Sequence, residues 1–344
     1  MTNESRRVFD LSIVVPIYNA SASLATLFKH LAELPQDGVE VVLVNDGSKD
    51  DSLEQCRRFE TSRSNVCVID QVNGGVSVAR NNGIKAAQGD YIAFCDADDQ
   101  LLASEVMSVL AKAQRARAEI AVFNYATICE RDGHELNRST LAAGEFDFDH
   151  DFLMLYEAGV FNPVFNKMFS AEFLTRHAIA FEEGVALGED FRFNLDAFIA
   201  LEHGIICSEH AYRYVVGQSE SLTTSYNPKQ FSYFVYGLGR IERLLRERGI
   251  NDEHFLAKHW SRALINSAQN IAKRNGPANP VDAFKEFKSN ACEARRHADL
   301  SKAEPYQNDR KIQFLVCLVR KQQDLLLFAI VFTMMKFKQK KAGV

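Results

Sequence analysis

The chain is short of most features that mark a special class. Only 18 Gly and seven Pro occur among 344 residues, which excludes a collagen-like repeat. No apolar run reaches the roughly 20 residues that a membrane-spanning helix needs, which excludes a multi-span membrane protein. The seven cysteines, at 56, 67, 95, 129, 207, 292 and 317, include no closely spaced pair of the metal or redox kind. An odd, dispersed set reads as reduced thiols of the cytosol. The stretch from Met1 to Asp10 is polar and lacks a signal-peptide core, so the catalytic part is expected to face the cytoplasm. No pair among the nine histidines has metal-protease spacing. Positive charge is not in excess either: 40 Lys and Arg against 45 Asp and Glu give a net −5, which argues against a nucleic-acid partner.

What is present is ordinary globular material, 47% hydrophobic and 25% charged. The length suits one large α/β domain with a smaller C-terminal unit. The charge is uneven. From Ser301 to Val344 there are nine Lys and Arg against three Asp and Glu, while the remainder is acidic. A basic tail on an acidic body points to an anionic partner, a membrane surface first.

Leu11 to Ile17 is a β-branched apolar run, the profile of a buried parallel strand. A helical pattern follows, capped by Ser21 or Ser23 and running to Leu34. Val39 to Val44 is a second strand, ended by the turn Asn45-Asp46-Gly47-Ser48. Asp51 to Phe59 reads as a helix, Asn65 to Ile69 as a strand, and Val76 to Ala87 as a helix after Asn73-Gly74-Gly75. Tyr91 to Cys95 is a fourth strand, stopped by Asp96-Ala97-Asp98-Asp99. A helix from Ser104 to Arg117 and a strand from Glu119 to Tyr125 complete the alternation. The pattern predicts a parallel, doubly wound sheet with ligand sites at the carboxyl ends of its strands. Residues 130 to 150 read as a polar hairpin or loop, Glu189 to Leu201 as a helix, and Ile205-Ile206 and Tyr212 to Val216 as short strands. From Pro228 the chain is mostly helical, with breaks at Gly249-Ile250-Asn251 and Asn275-Gly276-Pro277. The expected division is a catalytic domain over 1–225 and a helical region over 226–344.

Three carboxylates in four residues, Asp96, Asp98 and Asp99, repel one another unless a cation or protons offset the charge. A hard divalent metal with oxygen ligands, Mg²⁺ or Mn²⁺, would do so, and such metals share their shell with phosphate oxygens. The alternative is an Asp-rich cap of the next helix. Gly74-Gly75 before a helix start would let backbone approach a phosphate. Arg80, one turn into that helix, would reach a phosphate or a base, or else remain a solvated helix residue.

The stretch from Leu11 to Leu102 resembles family 2 glycosyltransferases of the GT-A fold, especially bacterial enzymes of surface-polysaccharide assembly. The matching pieces are Val15-Pro16-Ile17-Tyr18-Asn19, Val44-Asn45-Asp46-Gly47-Ser48, Asn73-Gly74-Gly75-Val76-Ser77, Ala79-Arg80-Asn81 with Gly83, Gly89-Asp90-Tyr91-Ile92 and Asp96-Ala97-Asp98-Asp99. Fainter likeness continues through Asn166-Lys167-Met168-Phe169, Gly188-Glu189-Asp190, Tyr212-Arg213-Tyr214 and the Ser219 to Thr223 loop. The resemblance implies a GT-A-type, mostly parallel sheet flanked by helices. It implies transfer of a sugar from a UDP-sugar donor to a glycan or lipid-linked acceptor, assisted by Mn²⁺ or Mg²⁺. By the same likeness Pro16, Tyr18, Asn19 and Ala97 belong to the nucleotide site, and Asp46 faces the uracil imide. Arg80 contacts the nucleotide or its phosphates, Asp96 lies near the ribose and the metal's waters, and Asp98 ligates the metal. Asp190 is the general base, with Glu189 as the alternative. The chain departs from the family at Asn45, where Asp is frequent.

The apolar runs Ile312 to Val319 and Leu325 to Met335 are interrupted by Arg320-Lys321-Gln322-Gln323-Asp324. The second run has 11 residues, about 16 Å as a helix and too short to span a bilayer. With Lys336, Lys338, Lys340 and Lys341 it reads as an interfacial helix on the inner face of the cell membrane, over about 310–341. Packing on the body or on a second subunit, as in a homodimer, is the other reading. His203 and His210 read as surface or structural residues, Cys95 as a small buried apolar residue, and Trp260 and Phe231 to Tyr236 as helical core. A sugar-nucleotide-binding or scaffold protein that kept the fold without the chemistry is a rival. A dinucleotide-dependent oxidoreductase is another, opposed by the absence of glycine between Pro16 and Leu27.

Overall fold

The computed structural model describes residues 9–185, 187–217, 226–274, 279–306 and 309–341, without the side chains of 338–341. The chain divides into two compact units, Met1–Gly217 and Gln218–Val344. The boundary expected near residue 225 and the Ser219 to Thr223 loop lie outside the described residues, as does the expected break at Gly276-Pro277.

In the first unit, β1 (Phe9–Ile17), β2 (Val39–Asp46), β3 (Val66–Gln71) and β4 (Gly89–Phe94) are linked by α1 (Leu24–Ala32), α2 (Ser52–Ser62) and α3 (Val76–Ala86). These strands are parallel, in the order β3-β2-β1-β4. Their continuous Val/Ile/Leu runs are what a sheet covered on both faces requires. Then come β5 (Gln100–Leu101), α4 (Ala103–Ala116), β6 (Ile120–Cys129), β7 (Glu135–Arg138), β8 (Gly144–Phe146), α5 (Phe148–Glu157), β9 (Lys167–Ser170), α6 (Ala171–Arg176), α7 (Glu189–Ala200) and β10 (Gly204–Val216). The full order is β3-β2-β1-β4-β9-β6-β10-β5, with β7 on β6 and β8 on β10. The sheet is mixed and mostly parallel, as a GT-A fold is.

Two expectations need correction. The strand predicted over Glu119 to Tyr125 is β6, but it does not pair with β4; β9 lies between them, antiparallel to both. Four residues beginning with a lysine gave no strand signal, yet Lys167, Met168 and Phe169 are all fully buried. The two short strands expected at 205–206 and 212–216 form one strand, β10, whose register on β6 shifts around His210. The hairpin or loop expected over 130–150 contains β7, which turns back antiparallel on β6, then β8 and the start of α5, which Asp147 caps by accepting from the His150 N–H.

The helix that carries Arg80 sits close to the sheet because of one residue. A Cβ at Gly83 of α3 would lie 2.3 Å from Val14 Cγ1 on β1. No other side chain permits that approach.

The second unit contains α8 (Gln230–Glu247), α9 (Glu253–Ala272), α10 (Pro280–His297), α11 (Arg310–Arg320) and α12 (Asp324–Lys341). Asp252, Asn279 and Asp309 cap α9, α10 and α11 by accepting backbone N–H groups. α9 is the core helix, with Trp260 fully buried and stacked on His297 at 4.6 Å. Phe231 to Tyr236 was expected in that core, but Tyr236 is 37% exposed; α8 buries Leu238, Ile241, Leu244 and Leu245 instead. α12 packs Leu327, Phe328 and Val331 inward, while Leu325, Leu326, Met334 and Phe337 stay exposed. This helix is therefore apolar on two faces. Among the described residues, no helix is long and apolar enough to cross a membrane.

Candidate active site

The carboxyl ends of β1 and β2 are tied together by side chains. Asn19, in left-handed backbone at φ 49°, receives a hydrogen bond at its side-chain oxygen from the Lys49 N–H at 2.8 Å. Its own N–H donates to Ser48 Oγ at 3.0 Å. Tyr18 beside it is 49% exposed. Pro16 stands two residues beyond Val14, whose carbonyl accepts from Cys95 N–H. Its missing N–H thus falls on the same strand edge, past the last β1–β4 pair, where no ladder bond is lost.

Asp46 ends β2 and is 3% exposed. Its Oδ1 accepts from Gln71 Nε2 at 2.8 Å and the Gly74 N–H at 2.7 Å. Its Oδ2 accepts from Asn73 Nδ2 at 3.1 Å and the Gly75 N–H at 2.8 Å. The glycine N–H groups that the sequence offered to a phosphate are thus directed at Asp46. Gly75, at φ 89°, makes the turn into α3. Asn45, the departure from the family pattern, donates to Asp70 Oδ1 at 2.7 Å. An Asp at 45 would instead oppose a second carboxylate.

Arg80 is not a solvated helix residue. Its side chain is 4% exposed and lies over the Phe181 ring, 5.2 Å from the centroid. Asn81 beside it grips the Phe181 backbone, donating to the carbonyl at 2.9 Å and accepting from the N–H at 2.8 Å. Arg80 Nη2 donates to Asp96 Oδ1 at 2.9 Å, and Nη1 donates to Asp190 Oδ1 at 2.7 Å. Glu189 Oε1 is 3.6 Å from Nη1. One guanidinium therefore serves three carboxylates contributed by two distant parts of the chain. Burial acts against the Arg80 charge, but Asp190, Asp96 and Glu189 hold its pKa above the ordinary value. Burial lifts the Asp190 carboxyl to about 6; Arg80 opposes the rise, and Glu189 and Asp96 add to it. Asp190 Oδ2 also accepts the Val164 N–H at 3.2 Å.

The Asp cluster does not converge on one point. Asp99 is 1% exposed and turned inward, accepting from Tyr212 Oη at 2.6 Å and from the Val215 N–H at 2.7 Å. Burial, then Asp96, pushes its carboxyl up to about 8. Tyr212 Oη in turn accepts the Asp96 N–H at 3.1 Å, so β10 braces the whole loop. Ala97 is half-buried, and Asp98 alone of the three acids is exposed. Its pKa is raised, first by desolvation at the loop and then by Asp96.

Residues 12–177 match Glycosyl transferase family 2. This segment belongs to that family. Among similar proteins, Glycosyltransferase GlyA of Streptococcus pneumoniae is 28% identical over 289 residues, 80% of this chain and 40% of the relative. The uncharacterized glycosyltransferase EpsJ of Bacillus subtilis is 29% identical over 224 residues, 63% of this chain and 64% of its own length. The chain thus spans about 40% to 64% of these two curated relatives. A crystal structure of S. aureus TarS 1-349 in complex with UDP-GlcNAc matches with a TM-score of 0.67 at 17% identity, covering 97% of this chain and 92% of that one. That likeness shows the shared fold.

Within the family 2 segment and the part of its unit that follows it, Arg80 brings together Asp96, Glu189 and Asp190, while Asp98 stands exposed two residues from Asp96. The same fold holds Asp46 apart, inside the Asn73–Gly75 turn. His203 and His210 are structural, bonded through Nε2 to the carbonyls of Ala116 and Ser139, each at 2.9 Å. Cys95 is fully buried. Sequence reasoning missed Phe181 under the arginine and the bond from Tyr212 to Asp99. It also missed Cys129, Asp132 and His134, whose ligand atoms lie within 4.8 Å of one another at the β6–β7 turn. A thiol and an imidazole there suit a softer ion than Mg²⁺.

Proposed function

We propose that the chain is a metal-dependent, inverting glycosyltransferase that moves a sugar from a UDP-sugar to a hydroxyl of a glycan or lipid-linked acceptor. Its role would lie in cell-surface polysaccharide or lipo-oligosaccharide synthesis. The observation that carries this reading is the cluster in which Asp96, Glu189 and Asp190 share Arg80. Three carboxylates against one guanidinium leave negative charge in excess, and Asp98 beside them adds more. An exposed, oxygen-only donor at Asp98 fits a hard divalent cation, Mg²⁺ or Mn²⁺. When bound, that ion supplies Lewis-acid stabilisation of the charge on the departing diphosphate.

The remaining roles belong to the chain. Pro16, Tyr18, Asn19 and Ala97 line the nucleotide, and Asp96 meets the ribose side. Asp46 shapes the base end; contact with a uracil imide requires one of its present N–H donors to let go. Arg80 orients Asp96 and Asp190, facing the diphosphate. Asp190 takes the acceptor hydroxyl's proton as its oxygen attacks the anomeric carbon. The C–O bond to UDP breaks and its electron pair leaves with the diphosphate. A carboxylate with a pKa near 6 is ionised at neutral pH yet basic enough for this work. One base opposite one leaving group gives direct displacement with inversion.

The second unit supports attachment to the inner face of the cell membrane. The exposed row of Leu325, Leu326, Met334 and Phe337 on α12 is an apolar face with basic residues near both ends. Lys311 and Lys321 are exposed on this side of the sequence, whereas Lys336 donates to the Arg274 carbonyl at 3.1 Å. Doubling Leu326→Ser with Phe337→Ser should release the protein from anionic vesicles. Unchanged co-sedimentation together with a dimer that dissociates in the variant would assign the face to a second copy.

Thermal unfolding with UDP, GDP, ADP or NAD⁺, each with Mn²⁺ and with EDTA, tests the main reading. Ligand at 100 times Kd should add about 2.7 kcal/mol, a shift of several degrees. Stabilisation by UDP with Mn²⁺ is expected, and the UDP-GlcNAc held by TarS makes that sugar nucleotide the first donor to try. Stabilisation by NAD⁺ and not by UDP would overturn the reading.

A further inference from the structure

Lys167 opens β9 with no exposed surface. Its Nζ donates to the carbonyls of Val160 and Phe161, each at 3.0 Å, to that of Pro163 at 2.6 Å, and to Asn166 Oδ1 at 2.9 Å. From α7, Asn194 Nδ2 donates to the carbonyls of Phe161, Asn162 and Pro163 at 3.0, 2.8 and 3.2 Å. Asn166 Nδ2 donates to the Val160 carbonyl at 3.0 Å. Four consecutive carbonyls are thus gathered around one ammonium and two amides. The next residue, Val164, is left with its N–H directed at Asp190 Oδ2, 3.2 Å away.

A buried ammonium is a costly way to fill space, since an apolar side chain of similar volume avoids the desolvation. Burial does push the Lys167 pKa well down. Each of the four groups that Nζ bonds is nevertheless an oxygen acceptor. A neutral amine would aim its lone pair at one of them, so the contact shell demands the protonated form. Asp190 is the anion whose field Lys167 feels.

We propose that Lys167 is a positioning residue for Asp190: its ammonium curls the carbonyls of Val160, Phe161 and Pro163 inward so that the Val164 N–H fixes the carboxylate toward the acceptor. This rests on Asp190 being the base. The charged groups acting on Asp190 are Arg80 from α3, Glu189 from its own helix and Asp96 from the loop after β4; Lys167 on β9 feels the Asp190 charge in turn. Removing the ammonium therefore takes away a cation that adds to the Arg80 field.

The test is steady-state turnover of a UDP-sugar across pH by the full chain carrying Lys167→Met or Lys167→Gln. Each variant should keep its donor KM within about threefold while kcat falls by about tenfold or more. The acid limb of kcat should move to higher pH. Asn194→Leu, which leaves the ammonium in place, should lower kcat without moving that limb. A folded Lys167 variant with wild-type kcat and limb would overturn the proposal. So would a fall in melting temperature and kcat together with a rise in donor KM and the limb unmoved, the mark of a merely structural role. Should neither Lys167 variant fold, Val164→Pro removes the N–H on Asp190 along with the buried valine side chain; kcat lowered with donor KM and melting temperature near wild type supports the proposal, and unchanged kcat overturns it. Turnover retained by Asp190→Asn would instead sink the assignment of the base, whatever the Lys167 variants do.

Discussion

Two acidic groups at the edge of one sheet are built in opposite ways. At Asp46, four N–H donors meet two carboxylate oxygens, and every lone pair has a partner. At Arg80, three carboxylates share one guanidinium, and Asp98 stands exposed close by. The first arrangement is complete within the protein and fixes a turn. The second keeps uncompensated negative charge where a cation and a proton would relieve it. A satisfied carboxylate is architecture; a crowded one is poised for chemistry.

That contrast predicts different failures. Asp190→Asn should lower kcat by about 10²–10⁴-fold while leaving the melting temperature and UDP binding near wild type. Asp98→Ala should remove the Mn²⁺ dependence of UDP stabilisation, and a Mn²⁺ effect intact in that variant would argue against a metal there. Asp46→Ala should act on the fold instead. It leaves the Gly74 and Gly75 N–H groups and two amides without their acceptor, a loss of about 2–4 kcal/mol by denaturant unfolding. Gly83→Ala should cost about 1–3 kcal/mol, since its Cβ must displace Val14. Asn45→Asp should cost least, about 0.5–1 kcal/mol, by opposing Asp70 across the β2–β3 pair. An Asp46→Ala protein as stable as wild type would erase the distinction.

The first half of the sheet was legible because its signals are local. Unbroken apolar runs ended by Asn45-Asp46-Gly47 or by the Asp cluster declare both a buried strand and its carboxyl end. Arg80, Asp96, Asp98 and Asp190 were each named, but not what joins them. Arg80 and Asp190 are 110 positions apart, and no local pattern announces their bond. Asp99 looked like a third member of a metal cluster; Tyr212, 113 positions away, turns it inward. β9 was hidden for a related reason. A lysine in a four-residue strand reads as surface until the carbonyls that bury it are in place. The aromatic half of α8 misled in the other direction, because periodicity marks an apolar stripe without saying what covers it.

The most direct test is the pH dependence of UDP release from a UDP-sugar, in saturating acceptor and Mn²⁺, by wild type and Asp190→Asn. The raised Asp190 pKa means that the base is protonated, and idle, below about 6. Wild-type kcat should rise through an acid limb near that pH and level off above it, and the residual rate of the variant should show no such limb. A wild-type profile that is flat from pH 5 to 8, or a variant that keeps the limb, would contradict the assignment of Asp190 as the base.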